Sequence, residues 1–180
     1  MDKRLVADTS FYSFFVNDTS EKESLGKILQ NFIAEIPPKV YSELKASKNP
    51  GFLEDYKDNI NIHNSYNLRF NEILKPLFSK GQEEKGEHEV IVVALFCYNL
   101  RLNFVFIIDD GGAFKFVEKN LPDLIKNVKR TAGFICECCT TYKIFNKPES
   151  LALLEKMGNS KFFIDKVTLC KIKEELNKHD

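Results

Sequence analysis

Two apolar runs that each end in aspartate constrain the fold of this 180-residue chain more than any other feature. The first run, residues 5–7, stops at Asp8, and the second, residues 102–108, stops at Asp109 and Asp110. Continuous apolar runs are typical of parallel strands that are buried on both faces. In open α/β sheets, ligands bind beyond the carboxyl ends of such strands. The acids at these two strand ends are therefore candidate functional residues.

Asp8 also has an ordinary structural interpretation. Asp, Thr and Ser are all favourable N-cap residues, and residues 11–15 have the pattern of an opening helix. Taken alone, Asp8 is explained as well by a helix cap as by chemistry. The other acids of the chain decide between the two interpretations.

The remaining elements alternate between helix and strand. Strands are predicted over 33–36, over 60–63 and weakly before 129, and helices over 21–32, 39–46, 68–80, 87–99, 113–119, 134–142, 148–157 and 166–177. This alternation predicts an α/β fold with a central, mostly parallel sheet flanked by helices. Without an internal repeat or a linker, residues 1–180 are expected to form one domain, with a helical C-terminal extension over about 146–180.

Two further acids lie on predicted helices. Glu43 is on helix 39–46, and Glu89 is in the first turn of helix 87–99, which is otherwise apolar nearly all round. Glu89 shares a face with the apolar residues three, four and seven positions on, so its carboxylate is expected to point toward the core. Clustered carboxylates raise one another's pKa unless a cation neutralises them, and oxygen ligands select Mg²⁺ or Mn²⁺.

Composition and cysteine usage exclude several other classes. The 26 basic and 26 acidic residues balance, so contact with nucleic acid must come from a local patch such as Lys129 and Arg130. No apolar stretch is long enough to span a bilayer and no leader is recognisable, so a cytoplasmic protein without membrane contact is expected. The pair Cys136 and Cys139 lacks the further ligands that zinc needs, and buried thiols on a helix are the favoured interpretation.

The order of these acids resembles the PIN-domain ribonucleases, the family of VapC-type toxins and of several RNA-processing nucleases. Four segments carry the acids, and two more match a prokaryotic PIN-like subgroup that has a threonine-glycine turn: 6–10, 38–44, 86–91 and 107–110, then 129–133 and 153–164. The resemblance covers nearly the whole chain. It implies a three-layer α/β sandwich and a metal-dependent endoribonuclease that cleaves single-stranded RNA with an activated water, using Mg²⁺ or Mn²⁺.

Carried over by position, the resemblance places the catalytic acids at Asp8, Glu43, Glu89 and Asp110. The metal ligands would be Asp8, Glu89 and Asp110, with Asp109 as the alternative because the acidic doublet leaves the alignment ambiguous by one residue. We expect the three ligands to surround one cavity with Glu43 at its rim. The resemblance assigns substrate binding to Ser10, Thr131, Lys129 and Arg130, and Ser10 would hold a phosphate or the first carboxylate.

The resemblance leaves the biological role open in three ways. A toxin would have an antitoxin protein as its partner, whereas a housekeeping nuclease would have RNA alone, and a homodimer is an open alternative to a monomer. The hypothesis from another class is a non-catalytic or attenuated module that binds RNA or a protein partner. In that case the acids would serve as a cation or peptide site.

Overall fold

A five-stranded, all-parallel sheet forms the centre of the molecule. The computed structural model describes residues 3–63, 86–162 and 164–178, apart from the side chain of Glu87. The strands are β1 (Arg4–Ala7), β2 (Ile33–Ile36), β3 (Ile60–Ile62), β4 (Phe104–Ile107) and β5 (Val128–Lys129), in the spatial order β3-β2-β1-β4-β5. Every neighbouring pair is parallel. The α/β class and the parallel sheet predicted from the sequence are confirmed.

Nine α-helices connect and flank the described strands. They are α1 (Thr9–Ser13), α2 (Lys22–Leu29), α3 (Pro38–Lys45), α4 (Phe52–Asp55), α5 (Gly86–Asn99), α6 (Gly111–Asn120), α7 (Thr131–Thr140), α8 (Lys147–Asn159) and α9 (Lys166–Lys178). A π-helical turn (Phe14–Asp18) extends α1, and 3-10 turns precede β3 and β5. The helix predicted over 68–80 and most of the loop predicted over 81–87 lie outside the described residues.

The strand order creates a crevice beside β1. The chain passes from β1 outward to β2 and β3 on one side, and β4 and β5 lie on the other side. Such a reversal of strand order is where open α/β sheets bind ligands. Ala7 of β1 pairs with Ile107 of β4, so the residues that follow these two strands emerge side by side. The sheet register therefore places Asp8 close to Asp109 and Asp110.

Aromatic side chains bind the first helix to the core. Phe11 and Tyr12 of α1 are fully buried, and the Phe11 ring meets Phe134 of α7 edge-on at 5.9 Å. Phe32 and Tyr142 extend this cluster, with their ring centroids 5.0 Å apart. Each large apolar side chain that is fully buried contributes roughly 1.5–3 kcal/mol. The segment immediately after Asp8 is therefore held firmly beneath the crevice.

The C-terminal helices pack on the rest of the chain. Helix α8 begins at a capping box in which Asn146 and Glu149 exchange hydrogen bonds of 2.8 Å. Lys27 and Lys156 form ion pairs with Glu149 and Glu21, which join α8 to the region of α2. Helix α8 begins at Lys147, one residue before the start predicted from the sequence. Within the described ranges, no helix is both long enough and apolar enough to cross a membrane.

Candidate functional site

A cavity of about 590 Å³ opens at the carboxyl ends of β1 and β4. We call it the acid cavity because five carboxylates line it, together with three hydroxyl side chains and the cation of Lys161. Its acidic lining residues are Asp8, Asp18, Glu43, Asp109 and Asp110. The hydroxyl side chains are Thr9, Ser10 and Ser13. The strand ends that the sequence marked as candidate positions therefore do converge on one concave surface.

Asp8 is the most deeply buried acid of the acid cavity, with 6 % of its surface exposed. Its Oδ1 caps α1 by accepting a hydrogen bond from the Phe11 backbone N–H, at 3.2 Å. Burial, and then the charge of Asp109, raises the pKa of Asp8 to about 7, although backbone N–H groups including that of Phe11 partly offset the rise. Asp8 is thus both a helix cap and a carboxyl group that resists ionisation.

Asp109 faces Asp8 and is held by the start of α7. Its Oδ1 accepts from the Thr131 N–H at 3.0 Å, and its Oδ2 accepts from the Thr131 hydroxyl at 2.5 Å. Arg130 fixes the backbone beneath it, since its guanidinium donates to the carbonyls of Ile108 and Asp109. Burial raises the pKa of Asp109 despite these hydrogen bonds and the charge of Arg130. The carboxylate is therefore preorganised beside a second buried acid.

Asp110 occupies a different environment from its neighbour. Its Oδ1 caps α6 by accepting from the Ala113 N–H at 2.7 Å, and the residue is exposed. Both acids of the doublet line the acid cavity. Asp109 is the member whose charge acts on Asp8. Its lower exposure and its charge effect on Asp8 therefore favour Asp109, which was the alternative in the sequence-based prediction, as the partner of Asp8.

Glu43 belongs to the acid cavity, whereas Glu89, an expected metal ligand, does not. Glu43 lines the acid cavity and accepts a hydrogen bond from the Thr9 hydroxyl. It also packs against Gly86, where an added Cβ would lie 3.0 Å from Oε2. Glu89 is absent from the lining, and its Oε2 instead accepts from the Lys39 N–H in the first turn of α3, at 2.7 Å. Burial raises the pKa of Glu89, and the charge of Glu43 adds to the rise while Lys39 opposes it.

Of the four residues predicted to bind substrate, Ser10 is exposed and lines the acid cavity. Thr131 is fully buried, so its predicted contact with a substrate has no exposed atom to make it. Lys129 pairs with Glu137 at 2.6 Å, and the Arg130 guanidinium lies 4.6 Å from the centre of the Phe114 ring. These three residues support the region around Asp109.

Lys161 and Thr9 are cavity residues that the sequence did not single out. Thr9 follows Asp8 directly, and the short hydroxyl run after β1 was an available signal for it. Lys161 follows α8 in the chain and reaches the acid cavity only through the packing of the C-terminal helices. No local sequence pattern marks such a residue.

The donor chemistry of the acid cavity fits a hard divalent cation. Within the ranges that the structure describes, no three or more His, Cys, Asp or Glu side chains are grouped closely enough to hold a metal ion. Mg²⁺, however, keeps several water ligands and commonly uses only one or two carboxylates of the protein. The Asp8–Asp109 pair supplies that number of oxygen donors.

The five cysteines are free thiols, and three of them lie on α7 as predicted. Burial, followed by the neighbouring Cys139, raises the pKa of Cys136 to about 11. Nucleophilic and metal-ligating cysteines need a lowered pKa. The structure thus agrees with the interpretation of these thiols as packed helix residues.

Comparisons with known proteins find no match: no protein-family model, curated protein or solved structure is significantly similar to the chain. The evidence for the parallel α/β sandwich is the structure of this chain. The resemblance to PIN-domain ribonucleases rests on the sequence segments that carry the acids.

Proposed function

We propose that the chain is a metal-dependent endoribonuclease that hydrolyses phosphodiester bonds of single-stranded RNA. The observation that carries this proposal is that the buried Asp8 and the half-buried Asp109 line one open cavity where the strand order reverses. The preference for RNA comes from the PIN-domain resemblance of the acid-bearing segments. The toxin role with an antitoxin and the RNA-processing role share this chemistry.

The electrostatics of the pair support binding of a cation. Burial disfavours the charged form of both carboxyl groups and raises their pKa, and the charge of Asp109 adds to this penalty at Asp8. A divalent cation would remove that penalty, and oxygen donors favour Mg²⁺ or Mn²⁺ over softer metals. Asp8 and Asp109 would hold the ion, which when bound supplies an activated water and stabilises the charge of the leaving oxygen.

The chain's other residues have separate tasks in this proposal. Thr131 and Arg130 orient Asp109 through its carboxylate and its backbone carbonyl. Ser10 offers a hydroxyl and Lys161 a positive charge to a phosphate in the acid cavity. Because hydrogen bonds and charges held in place before reaction stabilise developing charge most effectively, the fixed position of Asp109 is central to the proposal.

A second candidate function is a non-catalytic module that binds RNA or a protein partner. The observation that favours it is the engagement of two of the expected acids by the protein itself. Glu89 caps α3 through the Lys39 N–H, and Asp110 caps α6 through the Ala113 N–H. Of the expected acids, Asp8, Glu43 and Asp109 would then remain for a cation, which suits a binding site as well as a catalytic one.

The experiment that separates these functions is RNA cleavage by Asp8→Asn. Asn has the same shape and caps helices as well as Asp, so the fold should persist. With Mn²⁺ and end-labelled single-stranded RNA, we expect cleavage to fall about 100-fold or more relative to the wild type. Asp55→Asn, the same change at an exposed residue of α4, is the matched control and should cleave normally.

A readout independent of activity is the thermal stability gained on adding Mn²⁺. A ligand that binds only the folded state raises the melting temperature. Wild type and Asp55→Asn should gain stability, and Asp8→Asn should gain much less. Cleavage by purified Asp8→Asn at the wild-type rate would refute the nuclease proposal and support the binding module.

A further inference from the structure

We propose that a second cavity beside the acid cavity binds one unstacked nucleobase of the RNA, a proposal that rests on the nuclease function. This base cavity, also of about 590 Å³, lies between the loop after β4, the start of α7 and the chain leading into α9. It shares Asp109, Gly111 and Phe162 with the acid cavity. Its volume lies within the range of roughly 300–1,000 Å³ that is usual for small-ligand sites.

The walls of the base cavity differ in character from those of the acid cavity. Apolar side chains dominate them, including Phe114, Ala132, Ile164 and Ile172. Asp165 and Thr168 supply polar groups at the edge. An apolar cavity with a few polar groups suits a flat, heteroaromatic ligand that needs both stacking and hydrogen bonds.

Two aromatic rings and one guanidinium provide stacking surfaces. Phe114 is half-buried, with the Arg130 guanidinium 4.6 Å from its ring centre. Phe162 is half-buried between the two cavities and is supported by the edge of Phe14, whose ring centre is 5.5 Å away. Proteins recognise single-stranded RNA by stacking splayed bases on aromatic rings and on Arg planes.

The adjacency of the two cavities identifies a nucleotide as the occupant. A nucleotide joins an anionic phosphate to an aromatic base through one sugar, so the two groups are always near neighbours. Here a cavity suited to a cation-bound phosphate adjoins a cavity suited to an aromatic base, and the two share Phe162 as a wall. Bases in a duplex are stacked and paired, so this arrangement selects single strands.

A larger side chain at position 133 should fill the base cavity without disturbing the residues around it. Gly133 lies in α7 and lines the base cavity but not the acid cavity. A Cβ added at Gly133 would meet nothing within 4 Å, so Gly133→Leu should extend into the open space and also favour the helix. Gly51 has equally open surroundings and lines neither cavity, which makes Gly51→Leu the matched control.

The test compares two probes: a fluorescent six-nucleotide single-stranded RNA and an abasic phosphodiester strand of the same length. Affinities are measured by fluorescence anisotropy in Ca²⁺, with the RNA checked to be intact afterwards. We expect wild type and Gly51→Leu to prefer the RNA by about 5- to 150-fold, the range expected for stacking of one base. Gly133→Leu should lose most of that preference and keep its affinity for the abasic strand.

Two further measurements keep the outcomes distinct. Hydrolysis of bis(p-nitrophenyl) phosphate with Mn²⁺ should be unchanged in Gly133→Leu, because the acid cavity is intact. Phe114→Leu is the substitute variant if Gly133→Leu does not fold. It keeps an apolar side chain but removes the ring, so it should weaken the preference for RNA.

The base-site proposal is overturned if the wild type shows no preference for RNA over the abasic strand. It is equally overturned if Gly133→Leu and Phe114→Leu both retain that preference. It is also overturned if sedimentation shows that Gly133→Leu disrupts a homodimer, or if a basic, apolar peptide competes while nucleotides do not. If the wild type cleaves neither RNA nor the small diester but the base preference disappears in Gly133→Leu, the nuclease proposal fails and the base site remains.

Discussion

Removing the charge of Asp8 should stabilise the metal-free protein at neutral and alkaline pH. The carboxyl group is 6 % exposed and lies beside Asp109, and these surroundings favour its neutral form. In Asp8→Asn the side chain keeps an oxygen that can accept from the Phe11 N–H, so the cap of α1 survives. The variant therefore isolates the free energy of the buried charge.

The size of the effect follows from the shift in pKa. The pKa of Asp8 rises from 3.8 to about 7, a difference that corresponds to roughly 4 kcal/mol at about 1.4 kcal/mol per unit. Because the folded-state pKa lies above the unfolded one, the folded state binds more protons between these values. The wild type is therefore at full stability below about pH 4 and loses this contribution as the pH rises through about 7. Asn does not titrate and avoids the loss.

Thermal unfolding in EDTA from pH 4 to pH 9 measures this difference. Asp8→Asn should match the wild type near pH 4 and melt higher above pH 8, by up to roughly 8–16 °C for a chain of this size. Asp110→Asn, the same change at an exposed helix cap, should show no such growing difference. A variant that is less stable than the wild type at pH 8 in EDTA would refute the reasoning.

Two further predictions concern other carboxylates. Asp109→Asn should reduce Mn²⁺-dependent RNA cleavage more than Asp110→Asn, because Asp109 is the acid that acts on Asp8; the reverse order in kinetic assays would show that Asp110 is the ligand. Glu35→Ala should destabilise the protein by about 3–5 kcal/mol in urea unfolding, since this buried carboxylate accepts from Arg4 at 2.7 Å and Asn61 at 2.8 Å. Glu54→Ala, which breaks an exposed pair, is its control and should change stability by less than about 1 kcal/mol.

The strands and most helices of the described ranges could be predicted because their signals are local. The apolar run of β4 is buried at every residue, and β2 occupies the predicted residues 33–36. The start of α7 was less predictable because a residue distant in the sequence holds its first turn. Helix α7 begins at Thr131, three residues before the predicted start, where the Thr131 N–H bonds to Asp109 twenty-two residues earlier.

The candidate site was predictable in its location but not in its internal order. Strand ends that belong to a parallel sheet meet at one edge, which is why Asp8 and the acidic doublet could be placed together. The position of Glu89 outside the acid cavity depends on the tertiary placement of α3 against α5. Glu89 accepts a hydrogen bond from the Lys39 N–H there, because the first-turn N–H groups of a helix are donors without a partner inside the helix and favour a carboxylate.

The two aspartate caps of the acid cavity show why a structural role does not fully explain Asp8. Asp110 caps α6 while exposed to solvent, so its charge can remain hydrated as it accepts the Ala113 N–H. Asp8 forms the same type of cap at a buried position, beside a second acid that makes its ionisation harder. Asn or Ser would cap α1 there without burying a charge. A cap alone therefore accounts for Asp110, whereas the proposed cation site would also account for the charge buried at Asp8.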